Sequence, residues 1–296
     1  MINRIFILKK YLLSLSYILY ILPLMFTISS LISENKYNNH LIQNFVYGED
    51  YNTFNENINP INLDVTEIDD FTLLIYMIGS DLEDKSYEAT KDINEMLKTN
   101  LFNPKVNVVL ETGGSTGKPD KNNNRTIDFS KVQRHQIVDG NIKTISDLGK
   151  VNMGENKTLS DFLNWGVTKY PAKKYGLILW DHGGSYGGFG NDINFANDAL
   201  TMNELDYGLR LPKLSYPSID NVTSSVEIDF EFIGFDSCLM ASLEVARSVY
   251  NNNTTTDNPS SISNDLHKIK FKFLIASEEI EPVSYTHLTL PTIYSV

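Results

Sequence analysis

Short apolar runs alternate with amphipathic stretches along this chain, and their order outlines a fold. "FTLLIYMI" at 71–78 is apolar without a break over a strand's length, the pattern of a strand buried on both faces. "GSDLEDKSYEATKDINEMLKT" follows, with Tyr87, Ile93, Met96 and Leu97 at helical spacing and acidic residues in the first turn. "VNVVLE" at 106–111 predicts a second buried strand, so β-α-β has appeared once. "KVQRHQIVDGNIKTISDL" alternates about Asp139-Gly140 and predicts a β-hairpin.

The alternation then resumes. "LSDFLNWGVTKY" predicts an amphipathic helix, "YGLILW" at 175–180 a buried strand, and "DHGGSYGGFGND" a glycine-rich loop. Residues 191–225 are mixed and loop-like, with a short helix near "MNELDYGL". "IDFEFIGF" at 228–235 predicts a strand, "CLMASLEVARSVY" at 238–250 a helix, and "IKFKFLIA" at 269–276 a closing strand. "NNNTTTDNPSSISND" reads as a polar surface loop, and no repeat of 20 to 50 residues is visible. The fold class that results is α/β, a mostly parallel central sheet with helices on both faces. In such folds chemistry sits in loops beyond the carboxyl ends of the strands.

Composition narrows the function classes. With 42% hydrophobic residues the chain can build a core, and its net charge of −12 argues against nucleic acid as a partner. The first 32 residues stand apart. Arg4, Lys9 and Lys10 precede about twenty mostly apolar residues, the layout of a secretion signal. The alternative is an uncleaved N-terminal membrane anchor through residues 11–32, and either places the rest outside the cytoplasm. Residues 33–69 are polar and aperiodic, a linker or pro-segment. One cysteine excludes an intrachain disulfide, so that thiol is structural, reactive or intermolecular.

Two loops could carry chemistry. His182 comes two residues after the 175–180 strand and is followed by Gly183 and Gly184, which let the backbone bring N–H groups up to a substrate. Cys238 comes just past the 228–235 strand, at or near the start of the next helix, whose dipole would favour a thiolate. Taken singly, a loop histidine is more often surface chemistry, and a lone cysteine more often packs as a small hydrophobe. Taken together, both follow parallel strands, the layout of a His-activated thiol nucleophile. A rival lies in "GGSYG" at 183–187, which matches the G-x-S-x-G elbow with Ser185 as nucleophile. That motif needs a helix next, and "YGGFGNDINFAND" is too rich in Gly and Asn to supply one. No histidine is spaced with His182 or Cys238 as a metal set.

"YGLILWDHGG" followed by "IGFDSCLMASLEVA" closely resembles the clostripain family of cysteine peptidases, family C11, which share the caspase-like sandwich. The likeness extends over "FTLLIYMIGSDLEDKSYEATKDINEM", "VNVVLETGG" and "ASEEIEP", so residues 70–282 form the expected peptidase domain. The resemblance implies a dyad of His182 as base and Cys238 as nucleophile, with the N–H groups of Gly183 and Cys238 as oxyanion hole. It further implies that Asp236 lines the pocket for a basic P1 side chain, with Glu278 or Glu279 as a further acidic wall. Members of the family cleave after Arg or Lys, and a carboxylate in the pocket suits a cation. Some mature by cutting themselves between the His and Cys strands, where Arg210 and Lys213 are the only basic residues here. Calcium dependence is implied by the resemblance alone, since no EF-hand-like run is present. The atypical tail "VSYTHLTLPTIYSV" at 283–296 departs from the family's continuation and reads as a truncation or foreign junction.

The expectation is therefore a secreted, self-processing cysteine endopeptidase acting on protein or peptide substrates with basic P1 residues and needing no cofactor for its chemistry. A non-catalytic surface binding module of the same fold and a serine esterase using Ser185 are the alternatives.

Overall fold

The computed structural model describes residues 5–7, 69–98, 105–117, 127–212, 214–217, 223–226, 228–250 and 266–280. The strands of the central sheet are β1 (Ile5–Ile7), β2 (Phe71–Ile78), β3 (Val106–Gly113), β4 (Val132–Val138), β5 (Asn141–Gly149), β6 (Tyr175–Trp180), β12 (Asp229–Asp236) and β14 (Lys270–Ala276). They lie in the order β1-β14-β12-β6-β2-β3-β4-β5. All neighbours from β1 to β3 are parallel, and the β4–β5 hairpin closes the far edge antiparallel. The hairpin turns at Asp139 and Gly140, whose φ values of 50° and 69° are those of a type I′ turn.

Helices cover both faces. α1 (Ser80–Ser86) and α2 (Glu88–Lys98) lie over one face, where Ala89, Ile93 and Met96 meet Leu73, Ile75 and Met77. α3 (Asn156–Lys169), α4 (Met202–Gly208) and α5 (Leu243–Tyr250) cover the other, with Leu159, Phe162, Val245 and Val249 in its core. Alternate residues of β2 feed opposite cores, which is why its apolar run has no polar break.

Three expectations are corrected. The single helix after β2 is two, because Tyr87 adopts a left-handed φ of 58° between α1 and α2. The 191–225 region is not mainly loop: it holds hairpin strands β7 (Phe189–Asp192) and β8 (Asp198–Leu200), then β9 (Arg210–Pro212) and the pair β10 (Leu214–Pro217) and β11 (Thr223–Val226). β9 pairs with β13 (Leu266–Lys268). The helix expected from Cys238 begins only at Leu243, after a turn at 238–241, and Ser242 offers its Oγ to the amide of Val245. Cys238 therefore does not sit on a helix N-terminus, and the dipole argument for its thiolate falls.

Ile5–Ile7 at the sheet edge belongs to the segment expected to be a signal or anchor, and no helix among the described residues is long and apolar enough to cross a membrane. The rest of that segment, nearly all of the 33–69 linker, the 251–265 loop and the 283–296 tail lie outside the described residues.

Candidate active site

Chain order β2, β3, then β6, β12 and β14 on the other side of β2 makes the β2/β6 boundary the point where the sheet reverses. Ligands of open α/β sheets bind outside the carboxyl ends at such a point. The registers show what gathers there. Met77 of β2 pairs with Trp180 of β6, and Trp180 pairs with Asp236 of β12. Two residues beyond Trp180 comes His182, and two beyond Asp236 comes Cys238. Parallel strands in this register deliver both loops to the same edge.

The loops touch. A methyl group on Gly183 would lie 2.0 Å from the carbonyl oxygen of Cys238 and 2.8 Å from Cγ of Met240, so only glycine fits. The glycine loop folds back on itself: Gly184 donates to the carbonyl of Gly188, and Gly190 to that of His182, both at 2.9 Å. On the other side, Leu239 donates to the carbonyl of Glu279 at 3.1 Å and Ala241 to that of Ser277 at 2.8 Å. The Cys238 turn is thus held between the loops after β6 and β14. Both His182 and Cys238 are half-buried, within reach of solvent and of a substrate.

A third strand end completes the site, and sequence reasoning missed it. Ser80 donates from Oγ to Oδ1 of Asp181 at 2.6 Å, and Asp81 meets Nε2 of His182 through Oδ1 at 2.7 Å. Two consecutive residues after β2 therefore clasp two consecutive residues after β6. Lys85, one turn along α1, holds Oδ2 of Asp81 at 2.7 Å. Partial burial pushes the Asp81 carboxyl up, but hydrogen bonds from Lys85 and His182 outweigh it and leave it below its ordinary value. The only signal in the sequence was an acidic residue in the turn after a strand that proved to neighbour β6.

Asp181 differs. Its carboxyl is fully buried, and burial pushes it from 3.8 up to about 7, opposed by the charge of His182 and the Ser80 hydrogen bond. An acid raised in the folded state binds a proton there that the unfolded chain releases, so stability falls as pH rises from about 4 to about 7. The effect is of order 3–4 kcal/mol. Urea unfolding at pH 4.5 and 7.5 should show wild type losing stability with pH, and Asp181→Asn losing distinctly less. An identical pH dependence in the two proteins would refute the assignment.

The other predicted residues fall as follows. Asp236 ends β12, half-buried, two residues before Cys238. Glu278 and Glu279 are exposed on the loop that holds the Cys238 turn. Arg210 is only 8% exposed, pairs with Lys268 in the β9–β13 ladder, and binds Asp206 at 2.6 Å. It is not presented as an exposed, extended cleavage site. Lys213 lies outside the described residues. Ser185 opens a 3-10 turn, Ser185–Gly187, followed by β7 and not by a helix, so the nucleophile elbow lacks its defining element. Among the described residues no group of three or more His, Cys, Asp or Glu could hold a metal ion.

Comparison with curated proteins gives no match. Among solved structures, a secreted C11 cysteine protease from Bacteroides thetaiotaomicron in complex with an irreversible peptide inhibitor is 18% identical, with a TM-score of 0.42 over 61% of this chain and 46% of that one. An inactive zymogen C11 protease from Parabacteroides distasonis is 22% identical, with a TM-score of 0.42 over 62% of this chain and 46% of that one. The chain thus spans less than half the length of these two relatives. The model of the clostripain family, Peptidase C11, matches residues 75–285, and the chain belongs to that family of caspase-like α/β sandwiches.

Proposed function

We propose that this chain carries the catalytic centre of a secreted cysteine endopeptidase that cleaves after Arg or Lys. The observation that carries the reading is the seating of Gly183 on the carbonyl of Cys238, which puts the histidine and cysteine loops in contact at the carboxyl ends of β6 and β12, beside the sheet's switch point. His182 takes the proton of the Cys238 thiol, and the thiolate attacks the scissile carbonyl. The N–H groups of Gly183 and Cys238 receive the oxyanion. The histidine proton passes to the leaving amine, and water then releases the acyl group. No step needs a metal or cofactor.

Asp236, with Glu278 and Glu279 beyond the Cys238 turn, supplies negative charge for a basic P1 side chain. Residues 1–32 serve as the export signal, with retention as an anchor the alternative. Self-processing between β6 and β12 uses Lys213, since Arg210 is tied to Asp206 and Lys268. The test is turnover of peptide coumarylamides with Arg, Lys, Ala or Asp at P1, by wild type and Asp236→Ala. Wild type should prefer Arg and Lys by at least about 100-fold, and Asp236→Ala should lose about 10- to 100-fold on those two alone. A preference untouched by Asp236→Ala refutes the pocket assignment. No thiol-dependent turnover of any substrate refutes the peptidase and leaves the binding module of the same fold.

A further inference from the structure

We infer that Asp81 is a positioning residue, the third member of a Cys238–His182–Asp81 relay, which fixes the tautomer of His182 and steadies its charged form. The inference rests on the peptidase reading above. Its ground is the bond from Nε2 of His182 to Oδ1 of Asp81 at 2.7 Å. A carboxylate is acceptor only, so the neutral imidazole must carry its proton on Nε2. Nδ1 is then left with the lone pair, and it is the nitrogen that can take the thiol proton. A histidine with the opposite tautomer could not act as base through that nitrogen.

The contact is built rather than incidental. Asp81 is held from behind by Lys85 on its other oxygen, which keeps Oδ1 turned to the histidine. Next to it, Ser80 takes a left-handed φ of 46°, uncommon for a residue with a side chain, and from there its Oγ bonds Asp181. The backbone strain falls on Ser80, next to Asp81, and strain of this kind gathers at working sites. As the reaction runs, the Sγ–H bond of Cys238 breaks and an N–H bond forms at Nδ1. The Nε2 proton stays donated to Asp81, whose charge offsets the imidazolium. The Nδ1 proton then leaves with the amine, restoring the neutral ring.

The charged groups on the elements packed around His182 are Asp81 and Lys85 on α1, Asp181 beside it in the chain, and Asp236 at the end of β12. The test compares kcat and KM of wild type, Asp81→Asn and Asp81→Glu on an arginyl coumarylamide. Alongside it, nitrogen NMR reads which ring nitrogen of His182 carries the proton in Cys238→Ala protein with and without Asp81→Asn. In Asp81→Asn the Nε2–H tautomer should lose its dominance. Its kcat should fall about 10- to 100-fold with KM within about threefold, and Asp81→Glu should recover part of the loss. An unchanged tautomer with kcat within about twofold of wild type overturns the relay while the peptidase stands. A wild type without turnover overturns the peptidase reading and with it the reaction the relay would serve, even if the tautomer still responds to Asp81.

Discussion

Cys238→Ala is expected to lower peptide hydrolysis by at least about 10,000-fold while leaving the fold intact. The reason is that every other part of the site prepares for that one sulfur. The β12–β6 register sets Cys238 at the same height as His182, and Gly183 packs on its carbonyl. Without a nucleophile no acyl-enzyme forms, and the rest of the site can only bind. Cys238 is half-buried and begins a turn at 238–241 rather than filling a core position, so losing the sulfur opens no large cavity. Stability should therefore change by less than about 1.5 kcal/mol. Because the chain has a single cysteine, one equivalent of iodoacetamide should remove the same activity, and its uptake can be counted by mass spectrometry. Ser185→Ala, on the 3-10 turn of the glycine loop, serves as control and should keep activity within about twofold. Hydrolysis that survives in Cys238→Ala would sink the thiol mechanism.

Much of the frame was legible from periodicity. The runs at 71–78 and 175–180 became strands with those bounds because their residues feed cores on both faces, which leaves no polar position to blur the ends. The Asp139-Gly140 turn was legible because a tight hairpin demands positive φ twice. What sequence missed depended on non-local terms. Cys238 to Ala241 have apolar side chains that fit a helix, yet the backbone there is drawn into hydrogen bonds with Ser277 and Glu279, some forty residues away. The strands within 191–225 are only three or four residues long, too short to show a period, and β9 finds its partner only in β13, far along the chain. In the site, the two reactive loops could be placed by the rule for parallel sheets. Asp81 could not, because its importance comes from β2 lying beside β6, a neighbour relation the order of elements alone does not state.

Gly183→Ala is the second large effect, expected to lower kcat/KM by about 100- to 1,000-fold. Its methyl group would lie 2.0 Å from a backbone carbonyl oxygen, a position no rotamer change relieves. A carbon and an oxygen need more than 3 Å, so the two loops must separate by about 1 Å or more. A displacement of that size is enough to cost about 100-fold in rate, and here it would fall between base and nucleophile. The same shift moves the Gly183 N–H, one of the two proposed oxyanion donors, whose loss alone is worth about 100- to 1,000-fold. The loops lie at the sheet edge rather than in the core, so the strain should lower stability by about 1–3 kcal/mol without unfolding the protein. Gly187 gives the internal comparison. A methyl group there meets nothing within 4 Å, so Gly187→Ala in the same loop should stay near wild-type activity and thermal midpoint. If Gly183→Ala keeps kcat/KM within about threefold of wild type, the contact between the two loops has no part in catalysis, and the site as assembled here is wrong.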